Sequence, residues 1–300
     1  MRLLTLCYPT FGKDNALHLN SAGTRIVLAP DQFHVELSER GWQVDVVSLA
    51  EPTQLPLFRS GLTMKRIEEV DLNDYDVFWH MFRDPTQPEV LAELERLRLN
   101  FGGKPILNDA LSLSQHHKHV YLPVLERYGL APRIITNVQP TPSWTSSHST
   151  FVSPERREIS TNVFNNNRGD YPERGAGRIV TEFVDYRVDG LHSIVRVGFA
   201  LGGGFRGYQY FSPLPAFKSG NAVRSEPYLL PEKFQAPVAS ALSELGCDVC
   251  HFEAVPLPDR IVIFDVNPYP TADGTTLTSI TADLAQQLTR RLTPERDVSR

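Results

Sequence analysis

A chain of 300 residues, 41% apolar and 22% charged, has the make-up of an ordinary globular protein and room for two domains of about 150 residues each. Its formal net charge of -5 and the lack of a long basic run exclude nucleic acid as an expected partner, because no phosphate-neutralising surface is written into it. Three cysteines, Cys7, Cys247 and Cys250, make no disulfide framework in a chain of this length.

The opening residues Met1 to Cys7 are too short for a secretory apolar region, and no stretch approaches the roughly 18 uninterrupted apolar residues of a membrane span. A cytoplasmic protein with no membrane partner is the expectation. From the start to about residue 105, strands and helices alternate. Strands are expected at Leu3 to Tyr8, Gln43 to Leu49, Asp76 to Trp79 and Lys104 to Leu107, with helices at 28 to 40 and 86 to 99. Such alternation implies a parallel, helix-covered sheet, whose ligands lie beyond the carboxyl ends of its strands. Pro9 to Asn15 and His80 to Asp84 fall there, with Tyr8, His80 and Arg83 as possible contacts.

Residues 137 to 177 are rich in Ser, Thr, Asn, Pro and Gly, and read as a loop-rich lobe or lid. Long strands follow at 178 to 186, 191 to 201 and 207 to 211, with Asp189-Gly190 as a strong hairpin signal and Gly202-Gly203-Gly204 as a second turn. An antiparallel sheet is expected. A helix at 232 to 245 leads to a last hairpin, 248 to 255 and 260 to 267, and a final helix at 275 to 292. Cys247 and Cys250 have C-x-x-C spacing without a second pair, which favours a structural reading.

The last hairpin carries the most chemistry. With the turn centred on Asp259, residue 253 lies opposite 265, and opposite residues share a face. By simple alternation, Val262, Phe264 and Val266 take one face, and Asp265 and Asn267 share the other with Ile261 and Ile263. Glu253, Asp265 and Asn267 then converge. Three oxygen donors suit a hard cation such as Mg²⁺; a solvent-facing strand with ordinary polar residues remains the alternative at this point. His116 and His119, spaced i, i+3, lack a third ligand.

The run I-F-D-V-N-P-Y-P resembles the signature of the ATP-grasp superfamily. Two further segments follow the family's order. P-I-L-N-D-A with Lys118 and Y-G-L-A-P is similar to the phosphate-lysine region of glutathione-synthetase-like and ribosomal-protein-S6-modifying ligases, and R-I-V-T-E-F-V-D is similar to the adenine hinge. The resemblance covers about residues 104 to 285. It implies an α/β chain of α+β lobes: an ATP-grasp fold with an N-terminal parallel-sheet pre-ATP-grasp domain at 1–105, a divergent, loop-rich small lobe at 106–177 and a C-terminal lobe with the Mg-binding hairpin at 178–300.

The resemblance also implies ATP and Mg²⁺ as cofactors, with Glu253, Asp265 and Asn267 as metal ligands. Lys118 would meet the α- or β-phosphate, and Arg196 would face the phosphates and the acyl phosphate. Glu182, Phe183 and Val184 would line the adenine pocket, and Asp185 would reach the ribose. The family's second phosphate lysine is replaced by Ser153, so Arg156 or Arg157 would supply that charge. The implied activity is ATP-dependent joining of a small-molecule or peptide carboxylate to an amine; a nucleotide-binding protein without ligase activity is the rival reading. The sequence is silent on oligomeric state, for which a homodimer is the default among oligomers.

Overall fold

The computed structural model describes residues 1–7, 35–48, 64–81, 92, 95–109, 118–134, 149–154, 162–165, 178–182, 184–214, 222–268 and 278–293. Its first unit is a parallel sheet of β1 (Arg2–Cys7), β2 (Gln43–Ser48), β3 (Met64–Arg66), β4 (Val77–Met81) and β5 (Ile106–Leu107), in the order β3-β2-β1-β4-β5. Near-continuous apolar runs such as L-L-T-L and V-F-W suit strands covered on both faces. Leu3, Leu4, Leu6, Phe78 and Trp79 are all fully buried.

The second unit is a three-stranded antiparallel sheet, with β6 (Ser149–Pro154) between β7 (Asn162–Asn165) and β8 (Arg178–Glu182). Strands therefore stand where composition pointed to loops. The strand expected at 178 to 186 ends at Glu182 and belongs to this sheet.

The third unit is the large antiparallel sheet. Its strands are β9 (Arg187–Val188), β10 (Leu191–Ala200), β11 (Arg206–Ser212), β12 (Arg224–Leu229), β13 (Val249–Pro256) and β14 (Ile261–Asn267). They run β12-β11-β10-β13-β14, with β9 added to β10. Asp189 and Gly190, at φ 53° and 80°, form the tight turn that their sequence announces, since both central positions of a type I′ turn need positive φ.

Three helices clothe this sheet: α1 (Lys118–Arg127), α2 (Glu232–Glu244) and α3 (Thr278–Leu292). α1 and α2 pack Tyr121, Leu122, Leu125, Val238, Ala241 and Leu242 onto one face of it, against Val195, Val197, Phe199, Cys250, Phe252 and Ala254. On the other face, Leu284, Ala285 and Leu288 of α3 join Ala200 and Val249 to the core of the parallel sheet. Trp42 Nε1 donates to Thr289 Oγ1 at 3.0 Å across that junction. Cys247 and Cys250 are buried in the α1–α2 core. No helix among the described residues is long and apolar enough to cross a membrane.

Candidate functional site

Register across the large sheet builds the site. Tyr208 of β11 pairs with Arg196 of β10, Arg196 with Glu253 of β13, and Glu253 with Asp265 of β14. Directly opposite residues share a face, so these four form one row across four strands. The neighbouring row on the same face is Gly198, His251 and Asn267, and the next begins with Ala200 and Val249, which α3 covers. The first of these is the polar row, at whose β11 end Tyr208 packs against that same core.

Within it, Arg196 donates through Nε and Nη2 to Glu253 Oε1, at 3.0 and 2.5 Å. The two side chains are only 14% and 18% exposed, so this pair is shielded from water far better than a surface salt bridge. Asp265 and Asn267 are half-buried beside it.

The opposition of Glu253 and Asp265 arises differently from a uniform hairpin. At the tip, Pro256 pairs with Ile261, Val255 with Val262 and Ala254 with Ile263, a register that would set Glu253 against Phe264. A β-bulge between Glu253 and Ala254 adds Phe264 as the extra residue and brings Asp265 into place. An odd insertion reverses the alternation beyond it. The expectation that Ile261 and Ile263 share the face of Asp265 is therefore corrected: both pack with Val266 in the α1–α2 core.

Three residues from outside the hairpin brace β14 and the end that carries Asp265 and Asn267. Tyr121, one helical turn after Lys118 at the start of α1, points its hydroxyl at Phe264 O and Asp265 Oδ1, both at 3.4 Å. Leu130, just past α1, accepts from the Ile263 N–H at 2.6 Å and so extends the sheet beyond its edge. Asn108, after β5, reaches the backbone of both hairpin strands. Asn108 lies within the P-I-L-N-D-A segment, and its partners, 140 to 160 residues away, leave no local signal.

The residues expected at the adenine hinge form a separate group. Glu182 accepts from the Arg133 N–H at 3.1 Å and lies 3.8 and 3.9 Å from the Arg133 and Arg260 guanidinium groups. Asp185 is held by His192 Nδ1 at 2.5 Å and Arg187 Nε at 3.0 Å, and Val184 is half-buried. Ser153 stands opposite Ile179 in the small sheet. Phe183, Arg156, Arg157, Tyr8, Arg83, His116 and the segment Pro9 to Asn15 lie outside the described residues, whereas His80 is fully buried at the end of β4.

No protein-family model and no curated protein matches this sequence. Solved structures do. The macrocyclase MdnC from Microcystis aeruginosa MRC, bound with precursor peptide MdnA, aligns at a TM-score of 0.62 with 14% identity over 97% of this chain and 100% of that one. The ATP-grasp ligase PsnB, complexed with minimal precursor, Mg and ADP, aligns at 0.58 with 12% identity over 97% of both chains. D-Cycloserine synthetase DcsG aligns at 0.57 with 15% identity over 97% and 100%. The chain has the ATP-grasp fold.

Proposed function

We propose that the protein is an ATP-dependent ligase that activates a substrate carboxylate and joins it to an amine. The carrying observation is the single row of Arg196, Glu253 and Asp265, with Asn267 one rung on. Two carboxylates and a carboxamide on adjacent strands are the oxygen-donor set of a hard cation that also keeps phosphate and water ligands. Glu253, Asp265 and Asn267 would hold Mg²⁺, which neutralises charge on the ATP phosphates when bound. Arg196, in the same row, would stabilise charge on the transferring phosphoryl group, and Lys118 would meet the α- or β-phosphate. Glu182 to Asp185 would flank the adenine and ribose, with Arg156 or Arg157 covering the charge that Ser153 does not carry.

In this reading a carboxylate oxygen attacks the γ-phosphorus, the bond to the β–γ bridging oxygen breaks and ADP leaves. The amine nitrogen then attacks the acyl carbon of the acyl phosphate, loses a proton and displaces inorganic phosphate. MdnC was crystallised with precursor peptide MdnA, and PsnB was solved in complex with precursor peptide PsnA2, which supports peptide side-chain carboxylates and amines as the first substrates to try. ADP release should be measured with acidic peptides, amino acids and small carboxylates, for wild type against Asp265→Ala. Equal rates in the two proteins sink the proposal.

Ser153, standing in β6 where related ligases carry a lysine, favours one second reading: a nucleotide-binding protein without turnover. Calorimetric titration with Mg²⁺ and ATP distinguishes it, because tight binding without ADP release on any acceptor supports that reading over ligation.

A further inference from the structure

One fully satisfied buried polar side chain near the candidate site is not one of its proposed ligands. Asn108 is fully buried and has a positive φ of 50°, a region that Asn tolerates better than most residues. Its Oδ1 accepts from the Asp248 and Val249 N–H groups, both at 2.9 Å. Its Nδ2 donates to Val249 O at 2.7 Å and Pro268 O at 2.9 Å. A carboxamide has two donor hydrogens and two acceptor lone pairs, and all four are used. Its backbone N–H also donates to Asp248 Oδ2 at 2.9 Å.

The placement matters more than the count. The β13–β14 ladder ends with His251 opposite Asn267. Past that rung, the side chain of Asn108 takes both backbone groups of Val249, which a partner strand would otherwise take. Pro268 has no N–H to offer, so its carbonyl is the one backbone group by which the chain leaving β14 can be held there. Asn108 holds it. The amide therefore fixes the start of β13 and the exit of β14 together, one residue beyond Asn267.

We propose that Asn108 is a positioning residue that sets Asn267, and through it the ligand end of the hairpin, for the cation. The inference rests on the metal-holding reading given above. No other side chain substitutes simply. Aspartate supplies acceptors alone and would set a charge against two carbonyl oxygens and the Asp248 carboxyl, and glutamine is one methylene longer. Removing the amide leaves the N–H and C=O of Val249, the Asp248 N–H and the Pro268 carbonyl without this partner, and frees the exit of β14 to shift.

The test uses the full chain as N108G and N108S, beside L284A, a core truncation in α3 that removes none of these hydrogen-bonding groups. The readouts are Tm, ADP affinity in EDTA, and Mn²⁺ affinity at saturating ADP followed by Mn²⁺ electron paramagnetic resonance. Outer-shell partners of metal ligands contribute roughly ten-fold or more to affinity, so N108G should weaken Mn²⁺ by about that factor. ADP binding in EDTA should hold, and L284A should keep wild-type Mn²⁺ affinity at a comparable loss of Tm. Should N108G not fold, N108S carries the same comparison. A lowered Tm with wild-type Mn²⁺ affinity in the Asn108 variants overturns the positioning role and leaves the ligase reading standing. Failure of the wild-type protein to bind Mn²⁺ with ADP overturns the metal-holding reading itself, and this role with it.

Discussion

Arg196 and Glu253 face each other across β10 and β13, and two of the arginine's three donor nitrogens converge on a single oxygen, Oε1. The guanidinium thus fixes a weakly exposed carboxylate within the proposed ligand row.

Arg196→Met should show what that contact contributes. It leaves Glu253 at 18% exposure without its cation, at a cost of about 1–3 kcal/mol, read as a lowered urea midpoint. Arg196→Lys should recover only part of this, since a single ammonium does not reproduce two donors in a fixed plane. Turnover in both variants should fall by ten-fold to a few hundred-fold, the equivalent of roughly 1.5–3 kcal/mol for a charge-assisted hydrogen bond. Turnover unchanged in Arg196→Met would remove the arginine from the site.

Gly207 is a second structural determinant of that row. A Cβ there would sit 1.8 Å from Arg196 O and 2.8 Å from Val197 Cα, so β10 and β11 must separate to admit it. Gly207→Ala should lose more than about 2 kcal/mol, placing it among the severe single substitutions. A thermal melt within a degree of wild type would show that the strands give way more easily than this packing implies.

Tyr121→Phe should do much less. Both hydroxyl contacts, to Phe264 O and Asp265 Oδ1, are 3.4 Å long, beyond the usual range for O–H donors. A stability loss below about 1 kcal/mol is expected, with Mg²⁺ dependence shifted modestly. A loss of several kcal/mol in a urea melt would mean the hydroxyl does more than these distances suggest.

His80 should make stability depend on pH. It is fully buried, and burial pushes its imidazole down to about 3, assisted by the charge of Arg98. Asp109 lies 4.0 Å from Nδ1, but its carboxylate is paired with Arg98 at 3.0 Å, so desolvation decides the balance. The native state keeps the ring neutral while the unfolded chain binds a proton below about 6.5. Its contribution is therefore complete above pH 6.5 and is lost as pH falls toward 3, by at most about 1.4 kcal/mol per pH unit. Urea midpoints from pH 7 to 4.5 should fall for wild type and flatten for His80→Phe. Parallel curves would place the slope elsewhere.

Much of the fold was legible because particular residues speak locally. The apolar runs of β1 and β4 announce a buried parallel sheet, and Asp189-Gly190 announces its turn. β12 was not legible: Arg224 to Leu229 is a largely exposed edge strand containing Pro227, without the alternation that marks a half-buried strand. The pairs in β6 and β7 are too short to stand out from their polar surroundings. Glu253 and Asp265 were placed opposite each other by assuming one register about Asp259, whereas the tip follows another register and the bulge restores the match. A single extra residue leaves no trace in composition, and Asn108 shows its part only through contacts distant in sequence.

For anyone grafting such a site onto another hairpin, phase becomes the design variable. With one uniform register, turning Asp265 toward the cleft would have turned Ile261 and Ile263 out with it, stripping the tip of its anchorage. Phe264 acts as a phase shifter, so one seven-residue strand is oily where it must be held and polar where it must bind. Deleting that residue would leave the composition nearly unchanged and invert one end of the strand relative to the other.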